Sequence, residues 1–301
     1  MRSALLTSSP MKWAVGGWSI FIAENLILSE NRTWIIEKYG DDAYHYMYGT
    51  FSTAASASVG YGYLYKVRNM GPLSWALRSP IPAPAKALSF AVLSVGFGIA
   101  SQTFPKFQIP LHYANDDHFV QTEIDVKTLS KSELETGWKV RCPFDFTDAK
   151  SATDSEGTGK EVVELHGLDR ISRHPGLWSF GLIGLGAGLL SPSLPTTIWM
   201  SMPVMVALIG GSHTDSRHRR GMGGNLSKDF DDVTSNIPFL AMLSGRQGSV
   251  IDAITECGKE IKPLNAMIGV GVAGLIVANR GRGSRSITTH IPDAKALLQR
   301  S

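Results

Sequence analysis

Long charge-free runs alternate with polar stretches along this chain. Residues 46–65 carry no charge, are rich in small side chains and close on Tyr61, Tyr63 and Tyr65. Tyrosines at such an end suit the boundary between water and lipid. Residues 87–105 are also uncharged and follow the turn-forming run Pro80-Ile81-Pro82-Ala83-Pro84. Residues 176–212 form 37 positions without Asp, Glu, Lys, Arg or His. That is too long for one helix, and Pro192 and Pro195 divide it, because proline breaks the helical ladder. Residues 263–279 form a glycine-rich fifth run, and residues 13–28 a weaker one interrupted by Glu24 and Asn25. A bilayer core asks for about 20 mostly apolar residues in a helix, since backbone groups left unpaired in lipid are costly. The pattern therefore predicts an all-α, polytopic membrane bundle of about six spans.

Charge tests that count. With the spans numbered from the amino end, the starting side holds Arg2 and Lys12, then Lys66, Arg68, Arg78 and Lys86, then Arg280, Arg282 and Arg285. The opposite side holds Asp41 and Asp42, the polar block 107–166 and the segment 213–262. The block has 12 acidic and 6 basic residues, so it carries −6 in a chain whose total is +3. Lys and Arg near span ends mark the side that faces cytosol, stroma or matrix, here the starting side. The domain reading is residues 1–106 for three helices, 107–166 for an acidic insertion and 167–220 for two more helices. A polar loop, the last helix and a basic tail fill residues 221–301. The same topology gathers Glu24, Asn25, Tyr44, His45, Gln102, His174 and His213 on one side, which predicts a shared site there.

Two constellations stand out at that side. Asp169-Arg170-Ile171-Ser172-Arg173-His174-Pro175 opens the longest apolar run. Proline fits the first turn of a helix, and the unpaired N–H groups there attract anions. Arg170 and Arg173 add positive charge, so a phosphate headgroup or an anionic cofactor arm is one expected occupant, and a plain lipid-headgroup anchor the other. The second constellation, His213-Thr214-Asp215-Ser216-Arg217, leaves the same run. His213 and Arg217 share a helix face, and Asp215 is expected either to fix a histidine tautomer or to pair with Arg217. The bland reading is a basic stop at a membrane exit. Gly181, Gly184, Gly186 and Gly188 lie inside an apolar span, where close helix packing explains them better than a nucleotide loop. Cys142 and Cys257 have no paired spacing and read as ordinary thiols.

From about residue 164 to 220 the chain resembles the NnrU family, which includes the plastid 15-cis-zeta-carotene isomerases. The likeness rests on Gly167, on Arg170-Ile171-Ser172-Arg173-His174-Pro175, on the glycine-rich span and on His213, Asp215 and Arg217. A weaker echo covers residues 19–65. The resemblance implies a polytopic membrane fold and, for the isomerases, a haem b that drives cis-to-trans isomerisation of a polyene. Their haem ligands are a histidine in the first span and another about 13 residues after the Arg-His-Pro histidine. This chain has Glu24 and Asn25 in the first region and Ala187 at the second position. The Arg-His-Pro start is also similar to membrane methyltransferases, but the glutamate pair of that group is missing near His213.

The expected binding residues are Arg170, Arg173, His174, His213, Asp215 and Arg217, with no catalytic residue and no metal ligand assigned. The implied protein is haem-free, binds a pigment or lipid and serves as an accessory subunit in an organelle membrane. The thylakoid or an inner membrane is the expected place, with a plastid favoured and no nucleic-acid partner. The alternative is a haem-dependent isomerase that uses His45, His174 or His213 as ligand.

Overall fold

The computed structural model describes residues 8–68, 70, 81–103, 111–114, 137–140 and 165–280. Most of the acidic block, Cys142 and the tail from residue 281 lie outside the described residues. Two strands within the block, β1 (Leu111–Ala114) and β2 (Gly137–Val140), pair antiparallel. The rest is helical: α1 (Ser9–Glu30), α2 (Arg32–Tyr39), α3 (Asp41–Tyr61), α4 (Ala83–Thr103), α5 (Pro175–Gly188) and α6 (Leu194–Arg219). After them come α7 (Lys228–Val233), α8 (Leu240–Leu243), α9 (Val250–Glu260) and α10 (Pro263–Arg280).

The six long elements lie side by side in the order α3, α1, α6, α5, α4, α10. Neighbours run antiparallel except α1 and α6, which run parallel: Trp18 stacks near Trp199, and Ser29 meets Arg217 further on. Glycine sets the close spacings that the apolar placement of these residues predicts. A Cβ on Gly184 would strike the carbonyl of Met200 in α6, and one on Gly186 would lie 2.7 Å from Leu93 of α4. Without side chains there, backbones approach closely and dispersion contacts accumulate. The proline division is also seen: α5 stops at Gly188, and α6 starts with Pro195 in its first turn.

Among the described residues three helices, α4, α6 and α10, are long and apolar enough to cross a bilayer. The other expected spans are helical but fall short of that standard for identifiable reasons. Helix α5 has 14 residues, about 21 Å at 1.5 Å per residue. Helix α1 contains Lys12, Glu24 and Glu30, and α3 is diluted by Ser, Thr, Gly and Tyr. The segment read as a polar loop instead folds into α7, α8 and α9 against one end of the row. Phe239 enters α8 with φ at 63°, a conformation rare outside glycine, while its N–H donates to the Ile171 carbonyl at 2.8 Å.

The helix ends sort into two groups. One end of the row holds the carboxyl ends of α1, α4 and α6 and the amino ends of α3, α5 and α10. Gln102 at the end of α4 accepts from the Lys262 N–H just before α10, and Asn25 of α1 meets Tyr48 of α3. At the other end Ser193 Oγ donates to the Met70 carbonyl and Thr196 Oγ1 to that of Val67.

Candidate functional site

A single 3-10 turn, Gly167–Arg170, delivers the chain to α5 with Pro175 in the first turn, where its missing N–H costs nothing. His174 stands immediately ahead of that helix and is only 3% exposed. Its Nε2 lies 2.8 Å from Asp215 Oδ1, on α6. A carboxylate only accepts, so Nε2 carries the proton and donates. His174 Nδ1 is buried and has no hydrogen-bond partner among the described residues.

Arg173 aims at the same carboxylate. Its Nη2 donates to Asp215 Oδ2 at 2.6 Å and its Nε to the same oxygen at 3.1 Å. Arg173 Nη1 donates to Thr234 Oγ1 at 3.0 Å and sits 2.9 Å from Asp231 Oδ1. Asp231 in turn accepts from Arg219. That hydrogen bond holds the Asp231 carboxyl below the usual carboxylate range, against the opposing cost of burial and with help from the charge of Arg173. Two arginines therefore face two aspartates, and the cluster is close to neutral.

Residues 234–236 lie across the mouth and are buried. Arg173 N–H donates to the Ser235 carbonyl, and Ser172 Oγ to the Asn236 carbonyl. The Asn236 side chain accepts from Trp178 Nε1 at 2.9 Å and donates to the Leu208 carbonyl and Ser212 Oγ, both at 3.1 Å. One amide thus ties α5, α6 and the 234–239 segment together. Low local dielectric strengthens each of these bonds and makes the loss of any one expensive.

Of the sequence-derived set, Arg173, His174 and Asp215 meet directly. Arg170 faces away to α9, where its Nε lies 3.2 Å from Glu260 and the Gly167 N–H reaches the same carboxylate. His213 and Arg217 do share a face, as their spacing predicts, but it turns to α1. Arg217 Nη1 donates to Ser29 Oγ at 2.8 Å, and His213 Nε2 is 3.9 Å from Glu30. Asp215 pairs with Arg173 and His174 rather than with Arg217. Nearby, Tyr48 OH donates to Asn25 Oδ1 at 2.6 Å, and Asn25 Nδ2 donates to Glu24. His45 lies on α3 with Nε2 3.4 Å from Asp41.

At the α5 amino end the two basic residues that border the helix are therefore paired within the chain. Asp215 engages both Arg173 and the His174 Nε2 beside the amino end of α5, so the arginine expected to face an anion from outside is already paired. A haem has no access to His174 as the chain is packed, because Nδ1, its one unbonded ring nitrogen, is buried. His174 presents Nε2 to Asp215, and its ring edge packs so closely that a Cβ on Gly211 would lie 2.8 Å from Cδ2. His45 faces Asp41 of its own helix α3, and His213 faces Glu30 of α1. Among the described residues, no group of three or more His, Cys, Asp or Glu is placed to hold a metal ion.

Asn236, Trp178, Thr234 and Asp231 complete the cluster, and Glu260 holds Arg170 apart from it, without a role assigned to any of them from sequence. They sit in stretches with no informative spacing. The available signal was indirect: a buried arginine requires acceptors, and Asp231 and Glu260 lie in the segment that folds back. No family model, curated protein or solved structure matches the chain.

Proposed function

We propose that this chain is a diverged, haem-free membrane protein of the NnrU type with six helices in the bilayer. It holds a lipid or pigment against those helices and serves as an accessory subunit of an organelle-membrane complex, with a plastid favoured by the family resemblance. One observation carries the reading: Arg173 and the His174 Nε2 are both engaged by Asp215, and the remaining His174 Nδ1 is buried. A cofactor or catalytic mouth needs charge or a ring nitrogen turned toward a ligand. Here the motif instead clasps α5 to α6 and to residues 231–236.

The apolar surface supports the lipid or pigment part. Leu88, Phe90 and Val95 of α4 and Leu264, Met267, Ile268 and Leu275 of α10 are exposed. Large contiguous apolar surface of this kind marks contact with membrane or partner. The opposite charges in sequence of residues 107–166 and of the tail from 281 support the partner part of the reading.

Purification in mild detergent, followed by visible spectra of oxidised and reduced protein and extraction of bound small molecules, tests this reading. The expected result is a copurifying lipid or pigment and no Soret band that shifts on reduction. A Soret band that shifts would overturn the haem-free assignment. Protein that carries no small molecule at all would overturn the binding role.

A further inference from the structure

Helix α9 has an apolar arc wider than the protein covers. Val250, Ala253, Ile254 and Cys257 fall on one side of it, with Ile251 at the edge, since positions three and four apart share a face. Ala253 and Cys257 are buried in a cluster with Ile99 of α4, Ile171 and Met242. Ile251 and Ile254 are 75% and 52% exposed. Asp252, Thr255, Glu256 and Lys259 occupy the other side.

The height of α9 in the bundle is fixed by its neighbours. Ile99 lies in the last turn of α4, which ends at Thr103. The Gln102 side chain accepts from Lys262 N–H and donates to its carbonyl, directly before Pro263 opens α10. The two candidate membrane helices α4 and α10 thus stop at one level, and α9 packs at that level rather than out in water. With 11 residues it is about 16 Å long, too short to cross a hydrocarbon core of about 30 Å.

We propose that α9 is an interfacial helix, lying at the headgroup–acyl boundary with Ile251 and Ile254 inserted into lipid. The uncovered apolar arc is continuous in sequence with the exposed Leu264, Met267 and Ile268 of α10, which face hydrocarbon in the membrane reading on which this proposal rests. Exposed Leu243 at the end of α8 adds apolar surface, and exposed Arg246 and Lys262 supply cations for anionic headgroups. Glu260, in the last turn of α9, holds Arg170 and the Gly167 N–H. Seating α9 in lipid therefore also positions the turn that leads to Arg173 and His174.

Single cysteines carrying a bimane fluorophore test this in the full chain, reconstituted in phosphatidylcholine–phosphatidylglycerol vesicles. The background is Cys142→Ser with Cys257→Ala, and the labelled variants are Ile251→Cys, Ile254→Cys, Thr255→Cys and Leu275→Cys. Positions 251, 254, 255 and 275 are exposed, so the labels displace no packed side chain. The expected result is that labels at 251, 254 and 275 lose emission to brominated lipid, whereas the label at 255 loses it to aqueous iodide. Iodide quenching at 251 and 254 equal to that at 255 would place α9 in water and overturn the proposal. Protection of 251 and 254 from both quenchers would assign the face to a protein and overturn it equally. The label at 275 separates the two levels: if brominated lipid quenches it while 251 and 254 stay unquenched, only the interfacial helix fails. If 275 also stays unquenched by lipid, the membrane reading itself fails.

Discussion

His174 Nε2 stands 2.8 Å from Asp215 Oδ1, joining the residue ahead of α5 to the last two turns of α6 across 41 positions. Arg173, one residue earlier, reaches the other oxygen of the same carboxylate at 2.6 Å. Consecutive residues thus grip one acid from two directions, and the grip fixes where α5 begins. It also explains Gly211, one turn before Asp215 on α6. A Cβ there would lie 2.8 Å from the His174 ring and 2.5 Å from Asn236 Oδ1.

Gly211→Ala should therefore push His174 and Asn236 out of place and cost about 1–3 kcal/mol, the usual range for overpacking. Gly271→Ala is the matched control, because nothing lies within 4 Å of its added Cβ. It should be neutral or stabilise α10 by up to about 1 kcal/mol through helix propensity. Thermal unfolding of both variants in detergent checks the contrast, and equal melting temperatures would refute it.

Asn236→Ala removes the acceptor for Trp178 and the donor to Leu208 and Ser212. A buried group left without its partner costs about 1–3 kcal/mol. The expected readout is faster amide hydrogen exchange across residues 231–239, while the middle of α6 remains protected. Unchanged exchange in that segment would show that the amide does not fasten it.

Acid should loosen the same segment. The folded-state pKa of Asp231 is depressed, chiefly by its hydrogen bond from Arg219. A depressed carboxyl contributes stability that is fully present above its unfolded value, about 3.9, and is lost as pH falls through the folded value. Wild type and Asp231→Asn should thus differ in melting temperature at pH 6 and converge as pH drops below about 4. A difference that stays constant with pH would contradict this pairing.

Cys257 should react slowly. Burial raises its thiol pKa, and the Glu260 charge adds to the effect, so the thiolate that attacks maleimide is scarce near neutral pH. Alkylation of Cys257, followed by mass spectrometry of its peptide, should be slow in native protein and fast after denaturation. Equal rates would mean that α9 does not pack as described.

Much of the helical layout was legible before any coordinates. Pro192 and Pro195 announced the break between α5 and α6, because proline cannot continue a ladder. The glycines of α5 announced close packing, since an apolar span has no other use for them. The common end of Gln102, His174, Asn25 and His213 followed from the alternation of the apolar runs. What stayed hidden was pairing. Arg170 and Arg173 look alike in sequence, yet one turns to Glu260 and the other to Asp215. Their partners lie 42 and 90 residues away, and no local spacing encodes such distances. The helices of residues 228–260 were also missed. The i, i+3, i+4, i+7 spacing of Val250, Ala253, Ile254 and Cys257 does signal α9, but the segment's charges and glycines read as a loop.

The central claim is that His174 and Asp215 form an internal clasp rather than a ligand seat. A double-mutant cycle with His174→Ala, Asp215→Ala and the pair, read by equilibrium unfolding in detergent, tests it most directly. A clasp predicts that either single change is strongly destabilising and that the second adds little, giving a coupling of about 1–3 kcal/mol. Additivity to within about 0.5 kcal/mol would contradict the clasp, as would full stability of both single variants.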